Sequence, residues 1–173
     1  MTRKQLFSGI CGLVVTVATL LPSITQAATA QPGSLIKGSG DAVYWYATNG
    51  RRYVFPNDKT FYTWFTPFTF YSVQRIPDAE LASILIGGNV TYRPGARMIK
   101  LSTDPRVYAV DNFGTARPIN SEEVAQALYG SRWRTLIDDV PDAFFVNYSL
   151  GAPILSPADF RPSTALTPNN DIR

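Results

Sequence analysis

The sequence predicts a β-rich α+β fold built from two tandem copies of one β-β-β-α-(short α)-β unit, residues 33–93 and 94–157, packed as one compact bilobed body. Three observations lead there. Matched blocks recur in one register: Lys37 with Lys100, Asp41 with Asp104, Val43-Tyr44 with Val107-Tyr108, Gly50 with Gly114, Pro77-Asp78-Ala79 with Pro141-Asp142-Ala143, and Gly87 with Gly151. The offset grows by one residue after Asp41, which places a single insertion beside Arg106. Each copy opens on short β-branched and aromatic runs divided by turn residues, then changes to a helical period. A unit of this size alone buries only about 60% of its unfolded surface, so two copies sharing a core are favoured over beads on a string. Tyr92-Arg93-Pro94-Gly95 leaves almost no linker between them.

In the first copy, 34–37 and 42–47 read as strands around Gly38-Ser39-Gly40-Asp41. Asn49-Gly50 is a strong hairpin signal, and 52–55 is the returning strand. The second copy repeats this at 97–101, 106–110 and 116–119, with Gly114 where positive φ is cheapest. Asn57 can cap a helix with Phe61, Trp64 and Phe65 on one face, and Asn120 or Ser121 can cap one carrying Val124, Ala127 and Leu128. Glu122 and Glu123 suit the first turn of that helix, and Gly130 ends it. Pro77-Asp78 and Pro141-Asp142 open a short helix or turn. Gly87-Gly88 and Gly151-Ala152 then lead to extended runs at 90–92 and around Ile154. Lys37 and Lys100 occupy one strand position in both copies and are expected to blunt a strand edge.

The first 27 residues read as a cleavable export signal: Arg3 and Lys4 precede an apolar run from Leu6 to Leu21, and small residues offer cleavage after Ala27 or after Ala30. The run is short against the roughly 20 residues of a membrane-spanning helix, so no stable transmembrane anchor is expected after cleavage. Cys11, the only cysteine, lies inside that run, in a context unlike that of a lipidated cysteine. Residues 158–173, rich in Pro, Ser, Thr and Asn, read as a flexible tail. Without the leader the 16 basic residues fall to 14 against 13 acidic ones, a balance that sets nucleic acid aside as a partner. A secreted or cell-surface protein is expected, of bacterial type because a small eukaryotic secreted domain would be stapled by disulfides.

The blocks Leu35-Ile36-Lys37-Gly38-Ser39-Gly40, Val43-Tyr44, Asn49-Gly50-Arg51-Arg52 and Phe55-Pro56, followed by Pro77-Asp78-Ala79-Glu80-Leu81, resemble a tandem β-rich repeat of bacterial secreted and surface proteins. The repeat is found especially in candidate-phylum bacteria and in modules appended to cell-wall-associated enzymes. The resemblance implies an accessory envelope module without an assigned activity and carries over no catalytic residue. The second copy departs from it, with Leu101 and Thr103 for Gly38 and Gly40, and Thr115-Ala116 for Arg51-Arg52.

The chain contains no histidine, and past the leader no cysteine, which removes the common nucleophilic triads and zinc ligand sets. No catalytic residue, metal site or cofactor is therefore expected. The carboxylates Asp138, Asp139 and Asp142 read as helix caps and solvated faces. Used catalytically, they would make a carboxylate-dependent glycan hydrolase the alternative class. Thirteen aromatic residues lie in 33–93 against seven in 94–157. Tyr44, Trp45 and Tyr46 are consecutive on a strand and cannot all face one core, so aromatic surface is expected to be exposed or covered by a partner. The candidate binding face is Trp45, Tyr46, Tyr53 and Tyr71 with Arg51, Arg52 and Arg75, the residue types from which interface anchors are made. The expected function is an exported cell-envelope binding or scaffold module without catalytic activity. Its partner would be a cell-wall polysaccharide, held on the aromatics of the first copy, or another envelope protein.

Overall fold

A computed structural model describes residues 29–65, 73–166 and 172. The expected leader and Tyr71 lie outside the described residues. The fold is α+β and two-lobed, with a five-stranded mixed sheet in each lobe. Lobe 1 contains β1 (Ser34–Lys37), β2 (Tyr44–Tyr46), β3 (Arg52–Val54), α1 (Asp58–Trp64), β4 (Val73–Arg75), α2 (Asp78–Ser83) and β5 (Ile86–Asn89). Lobe 2 contains β6 (Met98–Leu101), β7 (Val107–Asp111), β8 (Thr115–Pro118), α3 (Glu122–Tyr129), β9 (Ile137–Val140), α4 (Asp142–Phe145) and β10 (Ser149–Leu150), followed by α5 (Pro162–Ala165).

The strand order is β4-β1-β2-β3-β5 in one lobe and β9-β6-β7-β8-β10 in the other. An antiparallel meander is flanked on both sides by a parallel strand. The registers repeat as well. Ile36 faces Tyr44 and Gln74, as Ile99 faces Tyr108 and Asp138. Tyr53 faces Trp45, as Arg117 faces Ala109.

Three expectations need correction. Each unit has a further strand between its two helices, β4 and β9, so it reads β-β-β-α-β-α-β. These strands hold only three or four residues each and, at sheet edges, need little apolar alternation. Gly87 and Gly88 lie within the last strand rather than before it, because the ring of Tyr53 lies across them and a Cβ at Gly87 would come 2.4 Å from that ring. Lys37 and Lys100 sit on interior strands, and Lys100 is paired with Asp139 of β9, 2.5 Å away.

Local signals place the remaining elements. The Asn57 side chain accepts from the Thr60 N–H at 2.8 Å, and the Ser121 hydroxyl accepts from the Val124 N–H at 3.3 Å, each capping its helix. At the first hairpin the Gly50 N–H donates to the Ala47 carbonyl and the Ala47 N–H to the Arg51 carbonyl. The loop is thus three residues, 48–50, and Gly50 carries its positive φ of 76°.

Both faces of each sheet are covered. In lobe 1, Leu35, Trp45, Tyr53, Phe55 and Phe61 form the core beneath α1, while Ile36, Ile76 and Ile84 lie on the opposite face with Tyr44, Tyr46 and Leu81 of α2. Lobe 2 matches, with Met98, Ala109, Val124 and Ala125 under α3, and Ile99, Tyr108, Val110 and Val140 under α4. Each fully buried aromatic contributes about 1.5–3 kcal/mol by area, and edge-on pairs such as Phe55–Phe61, 5.0 Å apart, add about 1 kcal/mol.

The expected flexible tail is folded where it is described. Phe160 and Ala165 are buried in the α3-side core, Arg93 donates to the Leu166 carbonyl at 2.7 Å, and Ile172 is buried in the α1-side core of lobe 1.

The lobes meet on Val90, Thr91 and Tyr92, which are all buried. Val90 belongs to the first core and Tyr92 to the second. The Trp64 indole donates to the Thr91 carbonyl at 2.8 Å, the Arg93 N–H donates to the Thr63 hydroxyl at 2.9 Å, and the Tyr92 N–H donates to the Tyr148 hydroxyl at 3.0 Å. Asp138, 11% exposed, accepts from Arg97 of its own lobe at 2.5 Å and lies 3.7 Å from Lys59 of the other. The Tyr92 phenol also hydrogen-bonds to it.

Replacing Asp138 with Asn should lower stability by about 2 kcal/mol, below the buried-pair range because Lys59 and Arg97 are partly solvated. Denaturant unfolding should show one cooperative transition at an earlier midpoint; an unchanged midpoint would refute the linkage. Burial pushes up the phenols of Tyr92, Tyr129 and Tyr148, that of Tyr148 to about 12. A phenol held above its ordinary 10.0 stabilises the fold fully below that pH and loses the contribution as pH climbs toward 12. Tyrosinate absorbance should therefore show these groups ionising together with alkaline unfolding, after the exposed tyrosines.

Candidate functional site

The residues expected to form a binding face do not converge. Trp45 and Tyr53 are 8% and 9% exposed and sit in the α1-side core. Tyr46 packs on the opposite face, against the α2-side core. The Arg52 guanidinium lies 4.8 Å over the Tyr44 ring, and its Nε donates to the Ile84 carbonyl at 3.0 Å. Arg51 is exposed beside the β5 edge and reaches the Ile86 carbonyl at 3.4 Å. Arg75 is exposed at the other edge and reaches the Ser39 carbonyl at 3.4 Å. The alternation of Tyr44, Trp45 and Tyr46 is as expected, but helices cover both faces, so this alternation leaves no exposed aromatic wall.

The acidic residues do not face a common space either. Asp138 and Asp139 lie on β9 and point to opposite faces, held by Arg97 with Lys59 and by Lys100 respectively. Asp142 accepts from the Thr103 hydroxyl at 3.1 Å. Among the described residues no group of three or more Asp, Glu, His or Cys is placed to hold a metal ion.

That Asp142 contact has a partner in lobe 1 and explains the repeated Pro-Asp-Ala block. Asp78 accepts from the Ser39 N–H at 2.8 Å and the Ser39 hydroxyl at 2.6 Å. Pro77 and Pro141 share one backbone conformation, with φ of −57° at both. In each lobe the carboxylate that starts the short helix staples the loop after the first strand. A Cβ at Gly38 would come 2.2 Å from Asp78 Oδ1, so a glycine there lets the loop approach.

The staple fixes the chain that runs on to Asp41, and beyond it opens a pocket of about 290 Å³. Its apolar wall is Ala42, Val43, Phe55, Phe61 and Tyr62; Asp41, Asn57 and Asp58 line the rest. Phe55 and Phe61 are core residues exposing one side here, Tyr62 is 49% exposed, and Asn57 is held by its capping bond. Asp41 and Asp58 carry no salt bridge among the described residues. The nearest cation in sequence, Lys59, is turned toward Asp138.

Lobe 2 has a pocket of about 230 Å³ at the equivalent place, lined by Val107, Ile119, Ser121, Glu122 and Ala125 at the positions of Val43, Phe55, Asn57, Asp58 and Phe61. Its lining carboxylate, Glu122, and the adjoining Asp104 are both paired with arginines. Arg106, on the pocket wall, donates through Nε to both oxygens of Asp104 at 3.1 and 2.8 Å. Glu122 is paired with Arg134, whose guanidinium lies 4.5 Å over the Trp133 ring. Hydrogen bonds from Arg106 hold the Asp104 carboxyl below its ordinary range.

No family model matches this sequence, and no curated protein or solved structure is similar to it. The two lobes are therefore each other's best comparison. Sequence reasoning missed Asp41, Val43, Asp58 and Phe61 as a group, although one signal was present: the single-residue insertion between Asp104 and Val107 is what brings Arg106 to its carboxylate.

Hydrogen bonds from Ser39 hold the Asp78 carboxyl below its ordinary 3.8. A lowered carboxyl stabilises the staple above that value and loses this as pH falls through the lower folded-state value. The Ser39 amide should accordingly stay protected from hydrogen exchange at pH 3.8, lose protection in stronger acid, and lose it at neutral pH in Asp78→Ala.

Proposed function

We propose that this chain is an exported, non-enzymatic binding or scaffold module of the bacterial cell envelope, and that it engages another envelope protein through the lobe 1 pocket. The observation that carries this reading is the difference between equivalent pockets. In lobe 2 arginines pair with Glu122 on the pocket and Asp104 beside it, whereas among the described residues Asp41 and Asp58 of lobe 1 have no salt bridge and lie beside an apolar wall. An apolar surface with a few convergent polar groups is the usual form of a recognition site. The absence of histidine from the sequence and the ion-paired state of Asp138 and Asp139 speak against hydrolysis. The burial of Trp45 and Tyr53 speaks against sugar stacking on those rings. Among the described residues no helix is long and apolar enough to cross a membrane.

The immobilised protein should capture material from an envelope protein fraction and not from purified wall polysaccharide. Ala42→Trp, at an exposed position on the pocket wall, should abolish capture without unfolding the protein. Capture indifferent to Ala42→Trp, or release of glycan fragments from isolated walls, would overturn the reading.

A further inference from the structure

We infer that the lobe 1 pocket receives a basic side chain, arginine or lysine, presented by a partner polypeptide. The inference rests on the proposed role of that pocket in binding and adds the chemistry of what enters it. The second lobe is an internal record of how this architecture satisfies itself. There the one lining carboxylate, Glu122, is paired with Arg134, which lies over Trp133, and Asp104, just outside the lining, is bound by Arg106 of the pocket wall. In lobe 1 Asp41 and Asp58 line the pocket beside the half-exposed Tyr62, and among the described residues neither carboxylate has a salt bridge. The residue that supplies one in lobe 2 stands beside the single insertion in the repeat, and lobe 1 runs directly from Asp41 through Ala42 to Val43.

Charge and size both select a cation on an apolar stem. The N-terminus of α1 contributes about half a positive charge. Two carboxylates outweigh it, so the site remains negative. The methylenes of an arginine or lysine would lie along Val43 and Phe61, as such stems commonly cover apolar surface, with the charged head at the carboxylates and the Tyr62 ring. A volume of about 290 Å³ falls at the lower edge of the roughly 300–1,000 Å³ of small-molecule sites, which suits one side chain better than a cofactor or a sugar chain. This chain already pairs guanidinium with aromatic ring three more times, at Arg52 on Tyr44, Arg106 on Tyr108 and Arg117 on Phe160.

The probes are capped pentapeptides Gly-Ala-X-Ala-Gly with arginine, lysine, citrulline or norleucine at X, titrated into the full chain while the Ala42 and Val43 amide resonances are followed. The arginine and lysine peptides should shift these amides, with citrulline and norleucine about tenfold weaker, and added salt should weaken the charged pair most. Asp41→Asn with Asp58→Asn, two exposed changes that leave the core intact, should erase the preference. Equal binding of arginine and citrulline, or a preference that survives the double variant, overturns the inference. If no peptide moves these amides while envelope capture still depends on Ala42, the basic side chain is excluded and the binding role stands. If capture is also indifferent to Ala42→Trp, both fall.

Discussion

Val90, Thr91 and Tyr92 are where one lobe becomes the other, and each is committed in a different direction. Val90 completes the first core, Tyr92 completes the second, and the Thr91 carbonyl is held by the Trp64 indole from the helix of the first lobe. A connection buried on all sides needs each backbone group partnered, and here the Tyr148 hydroxyl and the Thr63 hydroxyl accept the N–H groups of Tyr92 and Arg93. These bonds fix α1 of one lobe and the turn after α4 of the other against a single strip of chain. Asp138 then sits within reach of Lys59 across the boundary. The placement of α1, and so of the pocket at its start, depends on this strip.

The repeat keeps its backbone by different side-chain means. Where lobe 1 staples its first loop with Asp78 on Ser39, lobe 2 uses Asp142 on Thr103, which stands at the position of Gly40, one residue further along the loop. Where Gly87 makes room for the Tyr53 ring, Gly151 makes room for the stems of Thr115 and Arg117. Arg117 in turn binds Asp111 and the carbonyls of Ala152 and Asp159, tying the segment after β10 to the sheet. At this position a polar tether in lobe 2 stands where the Tyr53 ring packs in lobe 1.

The parts of this fold written in local chemistry were readable from sequence. The caps Asn57 and Ser121 and the hairpin glycine at position 50 each depend on neighbours a few residues away, and the paired blocks are legible because they recur in one register. The edge strands were not readable, because the Ile137-Asp138-Asp139-Val140 run carries an acidic pair that resembles a helix start; only its pairing with β6 and the ion pairs to Arg97 and Lys100 make it a strand. The aromatic face failed for a related reason. Alternation along Tyr44, Trp45 and Tyr46 predicts two faces, but not that a helix covers each. The pocket was hidden because its residues come from a loop, a strand and a helix start, and its meaning emerges only from comparing which of its charges the other lobe answers.

Ile172 lies in the α1-side core of the first lobe, among Leu35, Trp45 and Phe61, although it follows the whole second lobe in sequence. As the chain is made, the first sheet and its helix can form early, but that core is one side chain short until the 172nd residue exists. Domains ordinarily fold as units in order of synthesis. Here the last step of packing the first lobe waits on the return of the chain from the second, so maturation of the first lobe reports that the second has been completed.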